Sequence, residues 1–388
     1  MPTLINNNLI NYFPDTSVRQ ELIKKFYTSN NIIFFNKKIG NLYFNLNKKS
    51  HYHYAAPEDV KLGAQSLMFY NEGFCNEKSS IDNPYIISVG DSFTYCTQLT
   101  PNDSWVQNIF HNFNKENILN MGSPGTGPYQ YNELLRGSIN KNTKLVLYGY
   151  YEGNDLRDMI NYKYKKKKYE ENKKEDKNEY KDYIKKKLGN YYSLNLIYAI
   201  YKSYYLNWEK KSNENINFKY TRISSGKKFN TYNSDLDEVE YAQLISKKSR
   251  QYNQKILDTF SKILKENFME AKNIAESNGS EIIFIYIPSA YTAFGHDVNF
   301  EDSNVGLVVN DYSKINQETF LNICKIENLN CINTVNSMIY YNLNSTTPTH
   351  FPYNVHLTKE GHQIVAKEIK DYICYQLENN HFFKKYCI

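Results

Sequence analysis

No stretch of the 388-residue sequence approaches the roughly 20 consecutive apolar residues that a helix needs to cross a bilayer, so no helical membrane span is expected. The first residues, Met1-Pro2-Thr3-Leu4-Ile5-Asn6-Asn7-Asn8, lack a basic segment followed by an apolar core, which argues against a secretory leader and makes the cytoplasm the expected compartment. An excess of one charge is missing too. Lys and Arg number 47 against 41 Asp and Glu, and the net +6 is too mild for this length to call for nucleic acid as a partner. Cysteine is sparse: Cys75, Cys96, Cys324, Cys331, Cys374 and Cys387 contain no CxxC pair. Reduced thiols are the expectation, with Cys96 packing as a small hydrophobe. A metal site is not indicated either, since His51 and His53 form a His-x-His pair with no third ligand near them in the chain.

The residues that are plentiful describe a folded chain. An apolar share of 41% with 23% charged residues is that of a globular protein, and the length allows one large domain or two around a sizeable core. The 37 tyrosines could stack on sugar rings, but a general compositional bias explains them as well.

One run organises the rest. Tyr85-Ile86-Ile87-Ser88-Val89 is β-branched and aromatic, fenced by Pro84 and Gly90, and reads as a short buried strand ending at Asp91-Ser92. A helix capped by Asp103 or Ser104 should follow, with Trp105, Ile109, Phe110 and Phe113 on one face. Ile118-Leu119-Asn120 reads as a second strand, Tyr131 to Ser138 as the helix behind it, and Leu145 to Tyr148 as a third strand. After an interruption come a long amphipathic helix from about Tyr241 to Ser277, a fourth strand at Glu281 to Ile287, and a helix from Asp311 to Cys324. A fifth strand at Asn330 to Asn333 and a closing helix from Lys359 to Leu377 complete the series. This alternation is the βα pattern of a parallel sheet. Residues 1–80 read as an N-terminal accessory segment, with short strands at Ile32 to Phe35 and Asn41 to Leu46. Residues 81–388 read as one domain, interrupted over 160–245 by a lysine- and tyrosine-rich insert that follows the third strand and could form a lid or substrate wall.

Four blocks carry chemistry. They are Gly90-Asp91-Ser92; Asn120-Met121-Gly122-Ser123-Pro124-Gly125-Thr126-Gly127; Tyr151-Glu152-Gly153-Asn154-Asp155; and Val355-His356-Leu357-Thr358 ahead of the last helix. In that order the chain resembles the SGNH, or GDSL, hydrolase superfamily over roughly residues 85–155 and 280–377. The resemblance implies a three-layer α/β/α sandwich around a five-stranded parallel, flavodoxin-like sheet in the order 2-1-3-4-5, with the accessory segment and the insert outside it.

A serine hydroxyl is a poor nucleophile until a base takes its proton, and the resemblance assigns these roles to Ser92 and His356. It also implies an oxyanion hole made of the Ser92 backbone N–H, the Gly125 backbone N–H and the Asn154 side-chain amide. His362 is read as packing. The departure from the family pattern is the third catalytic member. The family places an aspartate two or three residues before its histidine, and here those positions hold Asn354 and Tyr353. Asn354 could still orient the ring through its side-chain oxygen if Nδ1 carries the proton, or a backbone carbonyl could do so. The resemblance thus implies a serine ester hydrolase working through an acyl-enzyme without metal or organic cofactor. Its substrate would be a small-molecule or glycan ester, with acetyl on a carbohydrate as the guess. Two alternatives stay open: an O-acyltransferase using the same Ser92 and His356, and a catalytically impaired binding module in which Asn354 has disabled the site. Oligomeric state is not legible.

Overall fold

The computed structural model describes residues 34–47, 51–52, 55, 57–65, 67–68, 74–76, 83–109, 117–160, 162, 219–224, 227–232, 236–295, 298–352 and 354–376. Its centre is a five-stranded parallel sheet of β1 (Ile86–Val89), β2 (Ile118–Asn120), β3 (Leu145–Tyr151), β4 (Glu281–Ile287) and β5 (Cys331–Asn333). The strands lie in the order β5-β4-β3-β1-β2, which is the expected 2-1-3-4-5. Near-continuous apolar runs suit a parallel sheet that is covered on both faces.

Strand periodicity divides those runs between two cores. Ile87, Val89, Val146, Tyr148, Tyr150, Ile282, Phe284 and Tyr286 point to one face. There they meet Leu134 and Leu135 of α2 (Pro128–Ser138), Phe260, Leu264 and Phe268 of α4 (Gln254–Ser277), and Val309, Tyr312 and Phe320 of α5 (Ser303–Ile326). The alternate residues Ile86, Leu145, Leu147, Ile283, Ile285 and Ile287 face the other way. They pack on Trp105 and Val106 of α1 (Trp105–Asn108), Met338 of α6 (Val335–Asn344), and Val365, Ile369 and Ile373 of α7 (Lys359–Gln376). Two residues in a row on a strand thus serve opposite layers, the period-two rule at work.

Several boundaries differ from expectation for local reasons. The helix expected from Tyr241 to Ser277 is two helices, α3 (Leu236–Ile245) and α4. The stretch between them, Ser246 to Asn253, is polar but for Tyr252; Ser246 turns its hydroxyl onto Asp311, and the Asn253 side chain caps α4 by accepting from Lys255 N–H. α5 begins at Ser303, well before Asp311, because Asp302 caps it through the N–H groups of Asn304 and Val305. α6 was not expected. Ser104, one of the two expected caps, does cap α1, accepting from Gln107 N–H. Phe110 and Phe113 lie outside the described residues, as does the greater part of the 160–245 insert. Its described C-terminal part contains a hairpin of Lys219–Ser224 and Lys227–Tyr232, which the strand Val298–Phe300 extends to three strands.

The cysteines overturn the reduced-thiol expectation. Cys75 is bonded to Cys96, and Cys324 to Cys331, with Cα separations of 6.0 and 6.2 Å. No described cysteine is free. Sequence separations of 21 and 7 give no CxxC signature; the fold brings the pairs together. Cys96 is fully buried, but as half of a cystine that ties the N-terminal segment to the loop following Ser92. The same segment also docks at a second place, where Asn41 N–H donates to Glu133 of α2 at 2.6 Å after the hairpin of Phe34–Ile39 and Leu42–Asn47 turns at Gly40.

Candidate active site

β1 ends where the sequence indicated, and the chain leaves the sheet through Gly90, Asp91 and Ser92. A side chain at Gly90 or Gly149 would run into the Thr94 hydroxyl, so glycines let the loop after β1 lie close against β3. Asp91 fixes that loop. Its Oδ1 accepts from Phe93 N–H at 2.8 Å, and its backbone oxygen accepts from Tyr95 N–H at 3.0 Å.

Across 264 residues of sequence, Ser92 meets His356. Ser92 Oγ lies 2.9 Å from His356 Nε2, and His356 Nδ1 lies 2.7 Å from Asn354 Oδ1 and 3.1 Å from the Asn354 backbone oxygen. A carbonyl oxygen can only accept, so Nδ1 carries the ring proton and Nε2 is left as the acceptor for the Ser92 hydroxyl. Asn354 therefore supplies both orienting groups considered for the ring, its side chain and its own carbonyl. This convergence needs an unusual backbone. Val355, between the two residues, sits at φ 58°, a left-handed conformation that a β-branched residue adopts only under constraint. The constraint is a pair of flanking hydrogen bonds, Val355 N–H to Phe351 O at 3.0 Å and Phe351 N–H to His356 O at 2.8 Å. Phe93 stacks on the imidazole with ring centroids 4.8 Å apart, and on Tyr151 from its other neighbour at 3.5 Å.

Gly125 and Asn154 stand on the loops after β2 and β3, the strands on either side of β1, so the topology gives all three the same carboxyl edge of the sheet. Among the described residues, Ser92 makes no hydrogen bond to either of them. Gly125 has φ 71° with open space around its α-carbon, whereas the Gly122 N–H is occupied by Asn120 Oδ1 at 2.8 Å. Of the two glycines only Gly125 keeps the form of an accessible backbone donor. The Asn154 oxygen is buried without a hydrogen-bond partner, which leaves the NH2 as its donating end. The Asn154 turn is anchored by Glu152, whose backbone oxygen accepts from Tyr312 Oη at 2.8 Å and Asn316 Nδ2 at 3.0 Å.

Burial raises the pKa of the carboxyl groups beneath this edge. Burial pushes Asp91 up to about 7, helped by the negative Asp158 and opposed by the Phe93 N–H and Ser92. Asp155 is pushed up well above the carboxylate range by burial and by Asp91, although Tyr131 Oη donates to it at 2.5 Å. Glu152 is raised to about 7, again by burial, with the Ser313 and Thr292 hydroxyls pulling the other way. His362 is structural, as expected. Its Nδ1 accepts from Trp105 N–H at 3.0 Å, and burial lowers it to about 3, so it stays neutral and satisfies the first N–H of α1 beside the Ser104 cap.

Sequence reasoning missed Asp59, which is buried and accepts from Asn354 N–H at 3.0 Å. It also missed Glu152, Phe93 and the constraint at Val355. A β-branched residue in a left-handed conformation has no sequence signal, but Glu152 had one: a lone acid between Tyr151 and Gly153 at the end of a buried strand. No group of three potential metal ligands occurs among the described residues, and none of their helices is long and apolar enough to cross a membrane.

No family model and no curated protein matches the chain. Among solved structures it is similar to a member of the lipolytic G-D-S-L family from Veillonella parvula, at 11% identity and a TM-score of 0.37 over 75% of this chain and 98% of that one. It is also similar to an extracellular lipase from Streptomyces rimosus, at 11% identity and a TM-score of 0.39 over 74% and 97%. A phospholipase A1 from Streptomyces albidoflavus matches at 9% and 0.39 over the same shares. At such scores the chemistry has to be argued from Ser92, His356 and Asn354 themselves.

Proposed function

We propose that the protein is a serine ester hydrolase of SGNH type. The observation that carries this is the continuous chain from Ser92 Oγ to His356 Nε2 and from Nδ1 to Asn354, with the tautomer fixed by a carbonyl that can only accept. In this reading Ser92 attacks the ester carbonyl as its proton passes to Nε2, and His356 returns that proton to the leaving alkoxide. Water, activated by the same Nε2, then cleaves the acyl-enzyme. The Gly125 N–H and the Asn154 NH2 are the donors for the oxyanion, with the Ser92 N–H. Burial raises Asp91 to about 7 and Asp155 well above its ordinary value, which lessens the negative charge beneath that oxyanion as pH falls.

The substrate we infer is an ester of a small acyl group, acetyl on a carbohydrate being the leading case. The cystines favour an oxidising compartment over the cytoplasm. The binding-module alternative rests on Asn354, and the Asn354 oxygen at 2.7 Å from Nδ1 argues for a working orienter. The test is hydrolysis of a chromogenic short-chain acetate ester at pH 7 to 8. Ser92→Ala should lose at least about 10³-fold in kcat, while Asn354→Asp should retain or raise the native rate. A silent native chain that Asn354→Asp awakens would transfer the reading to a binding module, and full activity in Ser92→Ala would overturn the serine mechanism.

A further inference from the structure

The acid that the histidine loop lacks is present elsewhere in the chain. Asp59 lies in the turn of helix Pro57–Val60, within the N-terminal segment, and is wholly buried. Its Oδ2 accepts from Asn354 N–H at 3.0 Å across 295 residues of sequence, and Asn354 Oδ1 in turn accepts from His356 Nδ1–H at 2.7 Å. The turn is closed on itself, with the Asp59 backbone oxygen accepting from Leu62 N–H and Ala64 N–H. It is also held toward the site: Ala55 and Ala64 pack in one cluster with Cys75, Tyr95, Cys96 and Phe351, and Gln65 N–H donates to Gln98 O at 2.8 Å.

We propose that Asp59 is the remote acid of this site, a positioning residue that acts on His356 through Asn354. It pins the Asn354 backbone so that both Asn354 oxygens meet Nδ1, and in its ionised form, which the Asn354 N–H favours, it places negative potential near the imidazolium that forms during catalysis. The accessory segment then completes the catalytic machinery. The inference rests on the serine hydrolase reading for its consequence in rate, but its electrostatic core is independent of any activity. A carboxylate on the order of 8 Å from the ring, at an effective dielectric constant of about 20, raises a histidine midpoint by about one to two pH units.

The experiment is a titration of His356 followed by NMR of ring-labelled histidine, assigned by loss of its signal in His356→Gln. Asp59→Asn keeps an acceptor for Asn354 N–H and removes the charge. Its His356 midpoint should fall by about one pH unit or more, and the acidic limb of the kcat/KM profile should move with it. Asp59→Glu should titrate close to the native chain. An Asp59→Asn midpoint equal to the native one, with only a lowered Tm, would reduce Asp59 to scaffold and overturn the proposal. If Asp59→Asn does not fold, carbon NMR of the Asp59 carboxyl in the native chain, assigned by loss of its signal in Asp59→Glu, decides instead: the carboxyl should be ionised at pH 7, and one still protonated there also overturns the proposal. A native chain without esterase activity but with the predicted shift would sink the hydrolase reading and leave the Asp59 coupling standing.

Discussion

Glu152 offers a quantitative test of the electrostatics under the candidate site. Its side chain is fully buried; Oε1 accepts from Ser313 Oγ and Thr292 Oγ1 at 2.6 Å each, and Oε2 is buried without a partner of hydrogen-bond geometry. Burial raises the group from 4.5 to about 7. In the window between those values the native state holds a proton that the unfolded chain has released. Stability from this group is therefore complete below about pH 4.5 and is lost as pH rises through 7. A difference of about 2.5 units at 1.36 kcal/mol each corresponds to about 3 kcal/mol between pH 4 and pH 8.5. Glu152→Gln has nearly the same shape, keeps an acceptor for the two hydroxyls and does not titrate. Urea unfolding of the native chain and of Glu152→Gln across that range isolates the term, since other carboxyls contribute to both and cancel. The variant should match the native chain at pH 4 to within about 1 kcal/mol and exceed it by about 3 kcal/mol at pH 8.5. Stability curves that stay parallel to within about 0.5 kcal/mol would refute the assignment of a neutral, buried Glu152.

The cystine between Cys75 and Cys96 closes a loop of 21 residues, for which the chain-entropy account gives about 3 kcal/mol. Cys75→Ser/Cys96→Ser should lose that amount in urea unfolding, and the reduced native chain, which also loses the Cys324–Cys331 bond, should lose more. The two glycines of the second block should separate cleanly. Gly125→Ala places a methyl in open space at positive φ and should cost only about 1 kcal/mol of stability while reducing ester hydrolysis, measured by unfolding and by kcat/KM. Gly122→Ala drives its methyl into the Tyr95 backbone nitrogen and should cost about 2 kcal/mol or more in the same unfolding measurement.

What the sequence made legible is what short-range patterns encode. All five sheet strands were readable because each is a compact apolar run bounded by turn residues, and their order followed from the resemblance. Ser92 and His356 were readable because contiguous blocks hold them, Asn354 because it lies two residues before the histidine, and the fold had only to bring the blocks together. The long helix was misread because an apolar stripe resumes after Asn253 in nearly the phase it had before Ser246; the break lies in side-chain caps that a periodicity cannot register. The cystines and Asp59 were invisible for another reason. Their partners are 21, 7 and 295 residues away, and nothing in the local sequence marks them.

Val355 shows how these two kinds of information meet. Local preference argues against a valine at φ 58°, at a cost of about 1–2 kcal/mol. Its neighbours impose it, since Phe351 bonds to both Val355 and His356, and Asp59 takes the Asn354 N–H just before it. With the backbone turned this way, one asparagine presents two oxygens to Nδ1, at 2.7 and 3.1 Å. An aspartate at 354 would bring its own charge to the ring and place two carboxylates near one peptide. The neutral asparagine avoids that repulsion and leaves the charge with Asp59. On this argument the negative charge that position 354 does not carry reaches the ring from Asp59 in the N-terminal segment.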